Sequence, residues 1–336
     1  MSDPVVTVFG GTGFIGRHVV QRLARLGATI RVATQRPDRA LFLKPLGNVG
    51  QIVPVPVHYG KDASIARALQ GADWVINLVG ILTEQPGRRY ATVHGELPGR
   101  IGRAASAAGV SRFIQISAIG AHEASPSAYG RSKAAGETAA RLAFPGVTIL
   151  RPSVVFGPED EFFNALGSVS RIAPMIPLFF SGLPKLAFDG IFPQPRFPGA
   201  GANKMQPVYV GDVADAVLAA LREPKTAGGV FELGGPTVYS FREVVELALR
   251  VIGRRRCLVP VPFFALEAAA FFAQAVPFSP LKPDLVRLMK LDNVVSQGAA
   301  GLAELGIAPT AAELILPTYM YAYRAGRADN APSAQA

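Results

Sequence analysis

Cysteine is almost missing from this chain: Cys257 is the only one in 336 residues, so no disulfide can form within it. Histidine is nearly as scarce, and His18, His58, His94 and His122 stand too far apart for the usual zinc-ligand spacings, which argues against structural zinc. Charged residues make up only 17% of the sequence against 49% hydrophobic, a balance that excludes a disordered polymer. At this length roughly 75% of the unfolded chain's surface is buried on folding, so no metal or disulfide staple is needed. A long uninterrupted apolar run is also lacking. The stretch 258–281 holds no Lys or Arg, but prolines at 260, 262, 277 and 280 bracket an apolar core of about 14 residues, short of the ~20 that span a bilayer. A short helix, buried or interfacial, is predicted there. Before VVTVF at 5–9 there is no room for a signal segment, so an intracellular protein is expected.

Acidic residues are in deficit, 24 against 34 Lys and Arg, which leaves a formal charge of +10. Such a field concentrates anionic partners, and nucleotides or anionic lipid fit it. Nucleic acid fits least and no nucleic-acid partner is expected, because the basic residues are scattered and the densest run, Arg254 to Arg256, has no interleaved aromatics.

What the chain does contain is alternation. Short apolar runs at 5, 29, 51, 74, 112 and 147 are separated by segments of helical periodicity. Strands apolar on both faces with helices between them predict a parallel sheet covered on two sides, and right-handed crossovers make it an α/β, doubly wound sheet of the Rossmann type. A core over 1–155 is expected, then a smaller mixed lobe over 156–324 interleaved with late core strands at about 206–235. An aromatic and basic insertion is read at 177–205, with Phe179, Phe180, Phe188, Phe192 and Phe197 suited to a lid or a membrane-proximal arm, and a disordered tail at 325–336.

Directly after the first run comes GGTGFIG, placing Gly10, Gly13 and Gly16 at the mouth of a helix with Thr12, Phe14 and Ile15 between them. Small residues there let the backbone approach a pyrophosphate, whose charge suits free N–H groups and the helix dipole. The second strand ends in Thr34, Gln35 and Arg36 with no acid to accept from a ribose. A guanidinium suits a 2′-phosphate, so NADP(H) is preferred over NAD(H).

Tyr129 and Lys133 lie four apart on one helix face. An ammonium ion nearby favours tyrosinate, so the tyrosine pKa is expected to fall from about 10 toward neutrality, as an acid-base group needs. Asp212 and Asp215, at i and i+3 near a helix start, are read as complementing its dipole rather than as a metal site.

GGTGFIG, NLVG at 77–80, ISAIG at 116–120, YGRSK at 129–133 and RPSVVFGP at 151–158 together resemble the short-chain dehydrogenase/reductase superfamily, extended or atypical branch. The resemblance implies that Tyr129 is the acid-base group, that Lys133 also holds the nicotinamide ribose, and that the backbone of Leu78, Val79 and Gly80 passes close to the cofactor. It implies a nicotinamide-pocket role for Arg151 and Pro152 as the alternative to a plain strand-end turn. It further implies a serine after the fifth strand. Ala118 stands where that hydroxyl belongs, with Ser117 one position early, and one step along a strand reverses the face unless the strand end bulges. His58 stands near where many relatives supply an Asp to the adenine side.

Longer stretches, among them VHGELPGRIGRAASAAGV, ILRPSVVFGPEDEFFN, QPVYVGDVADAV and KLDNVVS, are similar to the alpha-subcomplex subunit nine family of accessory proteins of respiratory complex I, NADH:quinone oxidoreductase. That resemblance implies a tightly held NADPH with little or no turnover, a structural or assembly role, and docking on other subunits near the quinone-reducing end. It places the protein peripherally on the cytoplasmic face of the inner membrane, or on the matrix side in a mitochondrion. The alternative is a working NADP(H)-dependent reductase, dehydrogenase or epimerase, with Tyr129 acting on a small carbonyl, sugar-nucleotide or quinone-pathway substrate.

Overall fold

The computed structural model describes residues 3–181, 185–187, 194–196, 199–273 and 282–324. The chain divides into two compact units, one of Met1–Val155, Val210–Gly234 and Val295–Pro309, the other of Phe156–Tyr209, Gly235–Val294 and Thr310–Ala336.

The first unit is built from β1 (Val5–Phe9), α1 (Phe14–Arg25), β2 (Thr29–Thr34), β3 (Ile52–Pro56), α2 (Asp62–Leu69), β4 (Trp74–Asn77), α3 (Leu97–Ala107), β5 (Arg112–Ile116), α4 (Ala128–Ala143), β6 (Thr148–Pro152), α5 (Val210–Arg222) and β7 (Val230–Leu233). Its seven strands form one sheet in the order β7-β6-β5-β4-β1-β2-β3, with every pair parallel. The chain winds outward from β1 to β3 and then returns to β4 on the other side of β1. That reversal opens a crevice at the carboxyl ends of β1 and β4, where ligands of such sheets bind. Val6, Val8, Ile30, Val32, Val75, Ile76 and Ile114 have no exposed surface, which is why these strands read as continuous apolar runs. On one face Phe9, Val75, Phe113 and Ile149 pack with Leu69 of α2, Leu97 and Ile101 of α3 and Ala140 of α4. Pro54 and Pro56 are tolerated because β3 is an edge strand.

Asp212 lies in the first turn of α5, as expected of a dipole partner. Asp215 does something else: both its oxygens accept from Arg22 of α1, at 2.5 and 3.2 Å, an ion pair between two helices distant in sequence.

The second unit gathers its core from Phe156, Phe163, Ile176, Leu178, Val244, Ala248, Ile252, Leu316 and Met320. Met175–Phe180 pairs in parallel with Cys257–Pro262. The helix Phe241–Ile252 starts on a reciprocal cap between Ser240 and Glu243 and stops at Gly253 in the left-handed conformation. Phe180 is buried, and Phe179 packs against Phe241 and Phe263 at centroid distances of 6.3 and 5.6 Å. Phe180 is therefore a core residue of this unit and Phe179 is half-buried beside Phe263, while Phe188, Phe192 and Phe197 lie outside the described residues. The short helix expected within 258–281 is Phe263–Ala273, which buries Phe263 and Ala270 and exposes Phe264, Phe271 and Phe272. Residues 274–281 and the tail 325–336 lie outside the described residues. Among the described residues no helix is long and apolar enough to cross a membrane.

Candidate cofactor and acid-base site

Strand β1 runs into a turn that only glycine permits. Gly10 has φ +79°, and a Cβ there would come within 2.9 Å of the Leu78 carbonyl carbon and 3.0 Å of Val79 N. A Cβ on Gly16 would overlap the Gly10 carbonyl oxygen, so the first turn of α1 rests directly on the loop. The amide of Gly13 donates to Gly10 O at 3.0 Å. Gly13 is exposed and caps α1 with no side-chain hydrogen bond and no acid in the first turn. Amides at the start of a helix have no intrahelical acceptor, so those of Phe14, Ile15 and Gly16 stand beside Thr12 as a ready anion site at the sheet's crevice. The missing side chains leave a cradle that fits a dinucleotide's pyrophosphate.

At the neighbouring strand end Thr34 is buried while Gln35 and Arg36 are exposed. The Arg36 amide donates to Thr34 Oγ1 at 3.2 Å, which fixes the backbone and leaves the guanidinium outward. A second cation that spacing did not single out stands on α1, where the Arg17 guanidinium covers the Phe42 ring at 5.2 Å. His58 is exposed, and its Nδ1 accepts from Gly60 N at 3.2 Å in a local turn.

The loop after β4 is set by a buried amide pair. Asn77 Nδ2 donates to Gln115 Oε1 at 2.8 Å, and Asn77 Oδ1 accepts from Val79 N at 3.1 Å. Leu78 N donates to Phe9 O at 2.9 Å, so Leu78, Val79 and Gly80 leave the sheet right beside the glycine cradle.

Helix α4 begins at Ser127, whose Oγ accepts from Gly130 N at 3.0 Å. One turn then brings Lys133 Nζ over the Tyr129 ring, 5.7 Å from its centroid. Lys133 is buried, and desolvation of its ammonium brings its pKa down to about 8 despite Glu137 one turn on. The expected fall of the Tyr129 pKa is not found. Burial, reinforced by Tyr90, pushes it well above the usual phenol value, because low-dielectric surroundings penalise tyrosinate. The Tyr129 hydroxyl thus keeps its proton.

Beyond β5 the ladder continues without a bulge: Ser117 N donates to Leu150 O at 2.8 Å and Ile119 N to Pro152 O at 3.0 Å. Phe113 faces α3 and α4, so alternation puts Gln115 and Ser117 on that same side and Ala118 on the other. Ser117 is buried and its Oγ has no hydrogen-bond partner. An orphan hydroxyl therefore sits on the face that α4 covers. Arg151 is not free to line a pocket: its guanidinium grips Glu137 at 2.9 and 2.7 Å and reaches Glu232 at 3.4 Å.

Two residues that sequence reasoning gave no role pack against the Tyr129 ring. His94 lies edge-on to Tyr129, with centroids 5.3 Å apart, and Tyr90 stacks on His94 at 5.4 Å. The only local signal was an aromatic residue and a histidine four apart in YATVHGE, which a surface helix would show equally well.

Residues 6–234 match the NAD dependent epimerase/dehydratase family. The chain is 32% identical over 338 residues to NADH dehydrogenase [ubiquinone] 1 alpha subcomplex subunit 9, mitochondrial, of Arabidopsis thaliana, covering 97% of this chain and 79% of that protein. It is 28% identical over 260 residues to the ceramide reductase of Caulobacter vibrioides, covering 77% and 74%. Among solved structures it resembles the Citrobacter sp. triphenylmethane reductase complexed with NADP(H), with a TM-score of 0.70, 18% identity, and coverage of 94% of this chain and 99% of that one. The parallel sheet, the cradle at its crevice and these similarities lead to one conclusion: the chain belongs to the NAD dependent epimerase/dehydratase family and, within it, to the alpha subcomplex subunit 9 group.

Proposed function

We propose that this protein is an NADP(H)-binding accessory subunit of a respiratory NADH:quinone oxidoreductase, with a structural or assembly role and little or no turnover. The observation that carries this reading is the kinship with subunit 9 proteins over nearly the whole chain, joined to a complete glycine cradle. The backbone from Gly10 to Gly16 binds the pyrophosphate, Arg36 the 2′-phosphate and Lys133 the nicotinamide ribose, while Leu78, Val79 and Gly80 wall the nicotinamide end. A ligand kept at 100 times its dissociation constant adds about 2.7 kcal/mol of stability, reason enough to keep a cradle without chemistry. The docking site lies near the quinone-reducing end of the complex, and the protein is peripheral on the cytoplasmic or matrix side of the membrane.

A second reading is an active NADP(H)-dependent reductase, favoured by the Tyr129–Lys133 pair, the orphan Ser117 hydroxyl on the α4 face, and a relative named for ceramide reduction. Bound NADPH supplies hydride chemistry. Tyr129 would donate its proton to a substrate oxygen, with Ser117 as the second hydrogen-bonding hydroxyl.

The deciding experiment solubilises native membranes gently, separates assemblies on a native gel and locates this chain against NADH:quinone oxidoreductase activity and bound NADPH. Co-migration with the large active complex, unchanged in Tyr129→Phe, is expected. Recovery only as a small species that turns over carbonyl substrates and loses that turnover in Tyr129→Phe establishes the reductase instead.

A further inference from the structure

Behind the acid-base pair, His94 belongs neither to the cradle nor to the pair, yet it is 2% exposed. It sits in a π-helical segment, Ala91–Glu96, that runs directly into α3. Such segments are rare and concentrate at functional sites. The segment meets α4 where no side chain could fit, because a Cβ on Gly136 would overlap the His94 carbonyl oxygen.

Both ring nitrogens are committed. Nε2 accepts the amide hydrogen of Ile81 at 3.0 Å. Nδ1 lies 3.0 Å from Ser132 Oγ, and the Ser132 hydroxyl donates its own proton to the Tyr129 carbonyl at 2.7 Å. With that proton placed, Nδ1 must carry the hydrogen, so the imidazole is the neutral Nδ1–H tautomer. Tyr90 reinforces the arrangement: its hydroxyl donates to Leu82 O at 2.6 Å and its amide donates to Glu84 Oε1 at 2.7 Å. The loop after β4 is therefore fastened at Ile81, Leu82 and Glu84 to the segment that braces the Tyr129 ring. Gly80 stands just ahead of these anchors, where a Cβ would be 3.6 Å from both His94 Nε2 and Lys133 Nζ.

We propose that His94 is a positioning residue: through Ile81 and Ser132 it holds the Leu78–Ile81 backbone and Tyr129 in one geometry, so that the nicotinamide end of the dinucleotide meets a preformed wall. The proposal rests on the cofactor reading above. A loop already ordered loses less freedom on binding, so the gain is in affinity for that half of the ligand.

The test compares NADPH with 2′,5′-ADP, which fills only the cradle and the 2′-phosphate site, on the full chain and its His94→Phe variant. Phenylalanine keeps the ring stack and removes both nitrogens. NADPH is expected to bind about tenfold or more weakly, the scale of a lost buried hydrogen bond, while 2′,5′-ADP stays within about twofold. Equal weakening of both ligands marks a merely structural residue and overturns the proposal, as does no weakening of either. If the variant does not fold, ¹⁵N NMR of the wild-type histidines decides. A ring protonated at Nδ1 and bare at Nε2 from about pH 5 to 8, whose Nε2 resonance moves with NADPH and not with 2′,5′-ADP, is the expected result. An Nε2–H tautomer, or a resonance indifferent to both ligands, overturns it. A wild-type chain that binds neither ligand sinks the cofactor reading itself, a different outcome from a His94 that binds both unchanged.

Discussion

Arg151 and Glu137 form a two-pronged ion pair, Nε to Oε1 at 2.9 Å and Nη2 to Oε2 at 2.7 Å, that ties β6 to α4 one turn beyond Lys133. Glu232 of β7 joins from the other side at 3.4 Å and accepts with its second oxygen from Ser296 N at 2.8 Å. The network pins the helix that carries Tyr129 to the sheet and to the returning segment Val295–Pro309.

Removing the cation leaves two buried carboxylates facing each other. Arg151→Met is expected to destabilise the protein toward the lower end of the roughly 3–5 kcal/mol typical of a broken buried pair, since the guanidinium keeps some solvent contact. Urea unfolding of the variant beside wild type measures it. A loss under about 1 kcal/mol would mean the pair is screened as surface pairs are.

Gly16→Val places a branched side chain into the Gly10 carbonyl and the Gly11 backbone. The cradle cannot close around a pyrophosphate, so the thermal shift that NADPH gives the wild type is expected to vanish in the variant. A variant still stabilised by NADPH would move the phosphate site away from this loop.

Arg36→Glu exchanges the cation at the end of β2 for a repelling charge. NADPH affinity is expected to drop by roughly 10- to 150-fold, the worth of a hydrogen bond to a charged group, with NADH affinity unchanged or improved. Isothermal titration with both cofactors reads the ratio directly, and an equal loss for both would show that the guanidinium does not discriminate.

The pH dependence of folding has a sign that His94 sets. Burial, then the nearby Lys133 ammonium, lowers its pKa from 6.5 to about 3. Between those values the unfolded chain takes up a proton that the folded one refuses, so stability falls with acidification by up to about 1.4 kcal/mol per pH unit. Asp160, whose carboxyl burial raises, acts in the opposite sense above its ordinary value. His94→Phe should therefore flatten the slope of unfolding free energy between about pH 6 and pH 4. Parallel slopes in variant and wild type would show that His94 titrates normally.

Much of the first unit was readable from the amino acids alone. Five of the six early runs are strands buried on both faces, where residues must be apolar, while the edge run Ile52–Pro56 is apolar but partly exposed; the seventh strand, Val230–Leu233, is apolar apart from Glu232. The cradle was legible because its geometry is local: four glycines in seven residues satisfy one strand-turn-helix junction whatever surrounds them. Tyr129 and Lys133 were legible because four residues make about one helical turn.

Other features had no local signature. The side of the sheet that Ser117 faces followed from two ladder bonds to β6, not from its place in ISAIG. The sequence leaves Arg151 between a strand-end turn and a pocket wall; Glu137 and Glu232, 14 and 81 positions away, are what hold it. The direction of the Tyr129 shift was misjudged because a sequence shows the neighbouring cation but not the exclusion of water.

By itself the sequence determined the alternating α/β class, the glycine turn after the first strand and the helical spacing of Tyr129 and Lys133, because each depends on backbone geometry within a few residues. Only the tertiary structure decided which groups are buried, which proton His94 carries and what Arg151 grips, because desolvation and hydrogen-bond partnership depend on residues that the fold brings together from far along the chain.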